Sequence, residues 1–344
     1  MKTFLTTMIP EKSIMISDYS AIRIGDRKLF RIGIGTGAHA SSFTWGVQQR
    51  EESLAAVREA VDLGISLIDT GETYGKGACE TIVGEAIRGN REKAFVATKI
   101  SEAVLETNQK SAIEAACDQS LFRLGTDYID LYQIHWLNDR IDTDLAAESL
   151  LELKEKGKVR NLGICNCGKN YTKKFGDEFV TMQSPYSLIW RGMEYEFGEH
   201  LEHTGKTALF YYCLGQGLLG KKYEDIRLFP ESRKRTRLFD SSTLHARHGE
   251  AGQEQVLSRL LRNFHELCDS YQIDEAYAAI GWILNNVGDS LAVIGMRSIE
   301  QVKFFAGLVT IPDSLYLELS EVSEELKRCN GRKLDLWDSK ERIR

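Results

Sequence analysis

Proline is scarce in this chain, four in 344 residues, and no Pro-rich stretch forms. Without such a linker or a shift in composition, nothing marks a domain boundary, so residues 1–344 read as one domain. No apolar run approaches the roughly 18 residues of a membrane span, and Met1–Pro10 lacks the long apolar core and cleavage pattern of a targeting segment. The expectation is a cytoplasmic protein with no membrane partner. Basic excess is also missing: the net charge is -6 and the pI near 5.8. General polyanion binders carry a basic face, so nucleic acid is not expected as a partner, although an acidic total leaves room for one phosphate pocket. Paired cysteines are absent as well. Cys79, Cys117, Cys165, Cys167, Cys213, Cys268 and Cys329 are odd in number and scattered, which suits free thiols in a reducing compartment. Cys165-Asn166-Cys167, His200/His203 and His245/His248 lack further ligands at metal-site spacing, so no metal is expected.

What is present is a repeat of short apolar runs that stop on polar residues. Gly64-Ile-Ser-Leu-Ile runs to Asp69, and the glycine-flanked turn that follows delivers Tyr74. Ala94–Thr98 runs into Lys99, and Tyr128–Ile134 into His135. Helical spacing separates these runs, over Glu51–Leu63, Ala78–Arg88, Ser111–Leu124 and Leu145–Lys156, with Gly157 as a stop. Further strands are expected at Val159–Ile164, Phe179–Met182, Ala208–Tyr212 and Leu291–Ile294, and further helices at Glu194–His203, Glu254–Asp269, Asp274–Leu284, from near Ser298, and at Asp313–Cys329. Eight strand-helix units predict an α/β fold, a (β/α)8 TIM barrel with its core at about 31–310 and a C-terminal helix and tail at 311–344. Before it, Ser13–Ile16 and Ala21–Phe30, with a turn at Gly25-Asp26, predict an N-terminal β-hairpin. Gly33, Gly35 and Ala38 fit a dinucleotide-binding fingerprint taken alone, but no helix follows directly. A barrel's first strand with a Gly-rich turn is the other reading. The polar stretch Leu214–Gly252 is too long for an ordinary connection and predicts a lid or a flexible loop.

Parallel barrel strands aim their carboxyl ends at one face, where polar residues from several strands meet. Asp69, Tyr74, Lys99 and His135 would therefore converge, although each alone is explained as a turn former, a packing aromatic, a solvated lysine or a hydrogen-bonded buried histidine. The segments Ile68–Gly75, Thr98-Lys99, Asp130–His135, Gly157–Ile164 and Ile294–Ser298, in this order and spacing, resemble the aldo-keto reductases, NADP(H)-dependent oxidoreductases on a (β/α)8 barrel. The resemblance covers most of the chain. It implies a catalytic tetrad of Asp69, Tyr74, Lys99 and His135, with Tyr74 protonating a carbonyl oxygen, Lys99 lowering its pKa, Asp69 holding Lys99, and His135 orienting the substrate.

For the cofactor the resemblance implies Cys165, Asn166 and Gln183 at the nicotinamide carboxamide, Tyr211 stacked on its ring, and Arg297, Ser298 and Gln301 at the adenosine phosphate. Thr36, Gly37, Asp69, Leu214, Gln216 and Gly217 would also touch it. Arg297 suits a 2′-phosphate, so NADP(H) is expected over NAD(H). Three positions depart from the family pattern: Cys165 replaces a serine, Tyr212-Cys213-Leu214 replaces Ser-Pro-Leu, and Phe305 replaces an asparagine. Following the strand at Val159–Ile164, the Cys165 thiol is expected to be reachable in the free protein and covered by the cofactor, with a buried, inert thiol as the other reading. The basic run Arg233–Arg237 reads as a solvated loop that can also reach a pyrophosphate. A small carbonyl substrate would meet Trp45, Tyr74, His135 and Trp136, with specificity also set by the residues after Leu137 and near Trp337.

The leading expectation is therefore NADPH-dependent reduction of an aldehyde or ketone. A Schiff-base aldolase using Lys99 is a second reading, and a slow, redox-sensing regulatory subunit like the channel β-subunits of the same family is a third. The sequence leaves the oligomeric state open, a monomer included.

Overall fold

The computed structural model describes residues 21–39, 42–197, 206–220, 225–308 and 310–338. The fragment Ser13–Ile16 and the second half of the helix expected at Glu194–His203 lie outside them; Met193–Glu196 is helical.

Strands β1 (Ile22–Ile24) and β2 (Arg27–Leu29) pair antiparallel, with Ile22 opposite Leu29. Eight parallel strands follow: β3 (Ile32–Gly35), β4 (Leu67–Asp69), β5 (Phe95–Ile100), β6 (Ile129–Ile134), β7 (Val159–Cys165), β8 (Phe179–Pro185), β9 (Thr207–Tyr211) and β10 (Ser290–Ile294). They close in chain order, with β10 pairing both β9 and β3. The glycines near Gly33 thus belong to the barrel's first strand, and the dinucleotide-fingerprint reading is set aside.

Strand alternation explains what the barrel does with each side chain. Leu67, Phe95, Ala97, Leu131, Leu209 and Leu291 form one buried cluster with Ile22, Ile24 and Leu29 of the hairpin, whereas Ile68, Val96, Tyr132 and Ile164 join the larger core beneath the helices. Leu67, Phe95 and Thr207 begin their strands, and the Thr207 hydroxyl donates to Arg23 O at 3.1 Å. The hairpin consequently closes the amino-terminal end of the barrel with apolar side chains. Two residues beyond Leu67 and Ala97, on the same inward-facing positions, come Asp69 and Lys99. The other end is therefore polar.

The outer helices follow expected bounds: Arg50–Asp62, Ala78–Ala86, Lys110–Leu124, Thr143–Glu155, Glu254–Tyr271, Glu275–Asn286, Ile299–Ala306 and Asp313–Asn330. Side-chain caps start three of them, Asp142, Asp274 and Ser298. A short helix, Lys169–Lys174, lies between β7 and β8 where none was expected.

The stretch 214–252, expected as a lid or a flexible loop, carries apolar side chains into the core among its described residues. Leu218, Leu219, Phe229, Leu238 and Phe239 are buried, and the rings of Phe229 and Phe239 stack. Its return leg is knitted to the tail: Arg237 N donates to Leu336 O at 2.9 Å and its guanidinium to Asp335 O and Asp338 O, while the backbones of Arg247 and Asp338 form an isolated parallel β-bridge.

Candidate active site

A cavity of about 1170 Å³ opens at the carboxyl end of the barrel, larger than the roughly 300–1,000 Å³ of ordinary small-molecule sites. At its floor Lys99 Nζ donates to Asp69 Oδ1 at 2.6 Å and to Thr70 O at 2.7 Å. Both side chains are almost wholly buried. Burial is the largest single influence and disfavours the ammonium, but Asp69 first, with Tyr74 and Cys165 adding to it, holds the Lys99 pKa above its ordinary value. Asp69 is held twice more: Oδ2 accepts from Gln183 Nε2 at 2.8 Å, and its carbonyl accepts from the Thr36 hydroxyl at 3.0 Å.

Tyr74 reaches this pair because the chain reverses sharply behind it. Gly75, Lys76 and Gly77 all have positive φ, 58°, 54° and 89°, a run that glycine makes accessible. Lys99 Nζ lies 4.8 Å from the Tyr74 ring centroid, and the His135 ring meets Tyr74 edge-on at 5.8 Å. Here the structure corrects the expected tyrosine. Burial raises its pKa more than Lys99 lowers it, and the hydroxyl is pushed up to about 12.

Asn166 joins three strand ends. Its amide nitrogen donates to His135 O at 3.0 Å, its Oδ1 accepts from the Tyr211 hydroxyl at 2.7 Å, and its backbone N–H donates to Gln183 O at 2.8 Å. It does so at φ 52°, and Tyr212, Gln216 and His245 in the same wall are also left-handed. Backbone strain of this kind clusters at functional sites, where the surroundings hold it.

Of the residues expected from the sequence, Gly37, Trp45, Asp69, Tyr74, His135, Trp136, Asn166, Gln183, Tyr211, Leu214, Gln216, Gly217, Arg297, Ser298 and Gln301 line the cavity. Trp337 does too. Thr36 and Lys99 lie behind the wall. Cys165 corrects its expectation: it has no exposure, and its thiol faces Gln183 Oε1 at 3.4 Å instead of the cavity. Burial pushes that thiol's pKa well up.

One residue of the basic run also differs from expectation. Arg233 is buried, not solvated; Nε donates to Thr44 O at 2.9 Å, NH1 to Gln216 O at 3.1 Å, and the guanidinium lies 4.6 Å from the Trp45 ring centroid. Arg297 donates to the carbonyls of Trp45, Gly46 and Val47, at 2.6, 3.1 and 3.0 Å, while its buried Nε has no partner. Arg235, Arg247 and Phe304 also line the cavity. The basic run signalled Arg235; Arg247 stands alone in the sequence and carried no such signal.

The Aldo/keto reductase family model matches residues 31–337. Aldo-keto reductase YhdN of Bacillus subtilis is 31% identical over 300 residues, 83% of this chain and 87% of that protein. Among solved structures, the glycerol dehydrogenase AKR11B4 of Gluconobacter oxydans superposes with TM-score 0.73 at 26% identity, over 90% of this chain and 96% of that one. An aldo/keto reductase of Klebsiella pneumoniae, in complex with NADP and acetate, does so with TM-score 0.67 at 25% identity, over 93% and 99%. With the closed eight-stranded barrel, these matches establish that the chain belongs to the aldo/keto reductase family of NAD(P)H-dependent oxidoreductases.

Proposed function

We propose that this protein reduces an aldehyde or ketone to an alcohol with NADPH, and that Tyr74 is the proton donor. One observation carries the reading: Tyr74 and His135 meet over the buried Lys99–Asp69 pair, in the wall of a cavity large enough for a dinucleotide and a substrate. When bound, NADPH supplies the hydride to the carbonyl carbon. The oxygen gains negative charge as the carbon is reduced, and Tyr74 gives it the hydroxyl proton. With a pKa near 12 that hydroxyl is fully protonated at neutral pH, the state the step needs. Lys99 then opposes the charge left on the tyrosine, and Asp69 keeps Lys99 in place. His135 orients the carbonyl, and Trp45 and Trp136 supply apolar walls.

The residues present fit NADP(H). Asn166 and Gln183 present amides for the carboxamide and Tyr211 a ring for the nicotinamide. Leu214, Gln216, Gly217 and Arg233 would hold the pyrophosphate, and Arg297, Ser298 and Gln301 the adenosine phosphate. The unpartnered Arg297 Nε and Gln216 Oε1 are buried polar atoms that a ligand would satisfy. A Schiff-base role for Lys99 is disfavoured, because a lysine held as a buried, ion-paired ammonium is a poor nucleophile.

The test is NADPH oxidation across aldehydes, ketones and sugars, with Tyr74→Phe alongside. Loss of a positioned acid should lower turnover on the order of 100-fold or more, with NADPH affinity nearly intact. Equal turnover by the variant on a good substrate would remove Tyr74 from the role. Tight NADPH binding without turnover on any carbonyl favours the regulatory reading.

A further inference from the structure

The cavity is cationic in an acidic chain. Arg233, Arg235, Arg247 and Arg297 line it, against Asp69 and Glu52 among the described acids. Asp69 is neutralised by Lys99, and Glu52 accepts from Gln49 N at the start of its helix.

The four arginines fall into two pairs. Arg233 and Arg297 are electrostatic neighbours and both donate to the segment Thr44–Val47, at the end assigned above to the cofactor phosphates. Arg235 and Arg247 are each other's neighbours, and burial together with the charge of Arg247 pulls the Arg235 pKa down. Their segments are those sewn to the tail, through Arg237 to Leu336 and Arg247 to Asp338. There Trp337 meets Tyr212 edge-on at 6.0 Å, one residue past Tyr211. This places the second pair with the tail that shapes the substrate end.

Arg235 Nε is buried with no hydrogen-bond partner. Among the described residues neither guanidinium has an acidic partner, although in the same segment Arg227 pairs with Asp225 and Arg237 with Glu250. Two like charges facing one cavity without a counter-ion destabilise each other, and a half-buried guanidinium with an idle donor loses hydration that nothing in the protein replaces. An anion between them corrects both defects at once.

We infer that Arg235 and Arg247 form an anion site at the Trp337 end of the cavity, and that the carbonyl substrate carries a carboxylate or phosphate held there. The substrate half of this inference rests on the proposed carbonyl reduction; the anion site does not. Arginine suits it because its planar fork takes two oxygens of either group in parallel.

The test uses protein saturated with NADP, titrated calorimetrically with succinate and with glycerol 3-phosphate as unreactive probes. Wild type should bind at least one of them. The double variant Arg235→Gln, Arg247→Gln should bind it about 10- to 150-fold more weakly, the range for lost charge-assisted contacts, and the double lysine variant should recover part of the loss. The relative affinities of the two probes tell carboxylate from phosphate. In turnover, the ratio of kcat/KM for 4-oxobutanoate to that for butanal should fall by a similar factor in the glutamine variant. Retained NADP binding shows that the variant folds. No probe binding by wild type, or probe binding indifferent to both arginines, overturns the site. A large loss of NADP affinity with the 4-oxobutanoate to butanal ratio unchanged also overturns it and assigns the pair to cofactor phosphates. Probe binding through the pair in a protein that reduces no carbonyl keeps the anion site and overturns the carbonyl reading.

Discussion

Gln183 Nε2 donates to Asp69 Oδ2 at 2.8 Å, so the carboxylate that grips Lys99 through one oxygen is held by a cavity-wall amide through the other. Two strands far apart in sequence, β4 and β8, thereby share one buried charge. Asp69 cannot turn toward or away from Lys99 without breaking its bond to Gln183. The wall expected to face the nicotinamide and the pair beneath Tyr74 are mechanically one unit.

Gln183→Ala should therefore impair more than cofactor binding. Losing a hydrogen bond to a buried carboxylate costs about 1.5–3 kcal/mol, and the expected result is a fall in kcat of about tenfold or more together with weaker NADPH binding. Gln183→Glu should be worse, because it sets a second carboxylate against Asp69. Fluorescence titration with NADPH and steady-state turnover separate the effects. A change in NADPH affinity alone, with kcat intact, would show that the bond to Asp69 is irrelevant to turnover.

The raised pKa of Tyr74 sets the pH dependence. An ordinary tyrosine loses half its protons near pH 10, whereas this one holds its proton to about 12 because burial outweighs the Lys99 charge. A raised acid keeps its protonated form to higher pH. The proton-donating form thus persists through about pH 10, and kcat/KM for a neutral aldehyde, with NADPH saturating, should show no Tyr74-dependent decline from about pH 7 to about pH 10. A descending limb centred below about pH 9.5 in wild type would contradict the burial-dominated site.

Much of this arrangement was legible because barrel strands alternate strictly. Once Leu67-Ile68-Asp69 and Ala97-Thr98-Lys99 are read as strand ends, the same spacing that buries Leu67 and Ala97 inside the barrel turns Asp69 and Lys99 to its open end. The sense of the Tyr74 shift was not legible. It depends on how far burial exceeds the pull of one ammonium, a balance that residue types do not reveal. The burial within 214–252 was not legible for another reason: Leu218, Phe229, Leu238 and Phe239 are spaced irregularly among polar residues, so no period shows that they are buried. Arg233 likewise reads as a surface charge until Thr44 and Gln216 supply carbonyls from distant parts of the chain.

Cys165 gives a chemical test of such a register-dependent position. Its thiol is fully buried and its pKa is raised by burial, whereas Cys329 is exposed. The thiolate is the reactive form, so low access and raised pKa act together. Iodoacetamide should label Cys329 in the native protein and spare Cys165 with or without NADP, and denaturant should expose both to labelling. Peptide mass mapping reads this directly. Rapid native labelling at Cys165 that NADP suppresses would return the thiol to the cavity wall.

Arg297 offers the sharpest separation of two roles. Its terminal nitrogens hold the carbonyls of Trp45, Gly46 and Val47, and only the buried Nε is unpartnered. If it also meets a 2′-phosphate, Arg297→Ala removes a charge-assisted contact that NADPH makes and NADH cannot. That contact is worth about 1.5–3 kcal/mol, so NADPH affinity should fall about tenfold to 150-fold. The effect on NADH should be smaller, because NADH feels only the loosening of Trp45–Val47. If Arg297 serves this segment alone, both cofactors weaken equally. Dissociation constants for NADPH and NADH, measured on wild type and Arg297→Ala at one ionic strength, decide the matter, since phosphate contacts are screened by salt. Lysine at this position refines the result: a point charge can meet the phosphate, but it lacks the planar fork needed to reach three successive carbonyls. Arg297→Lys should accordingly recover much of the preference for NADPH while leaving the weaker binding of NADH uncorrected.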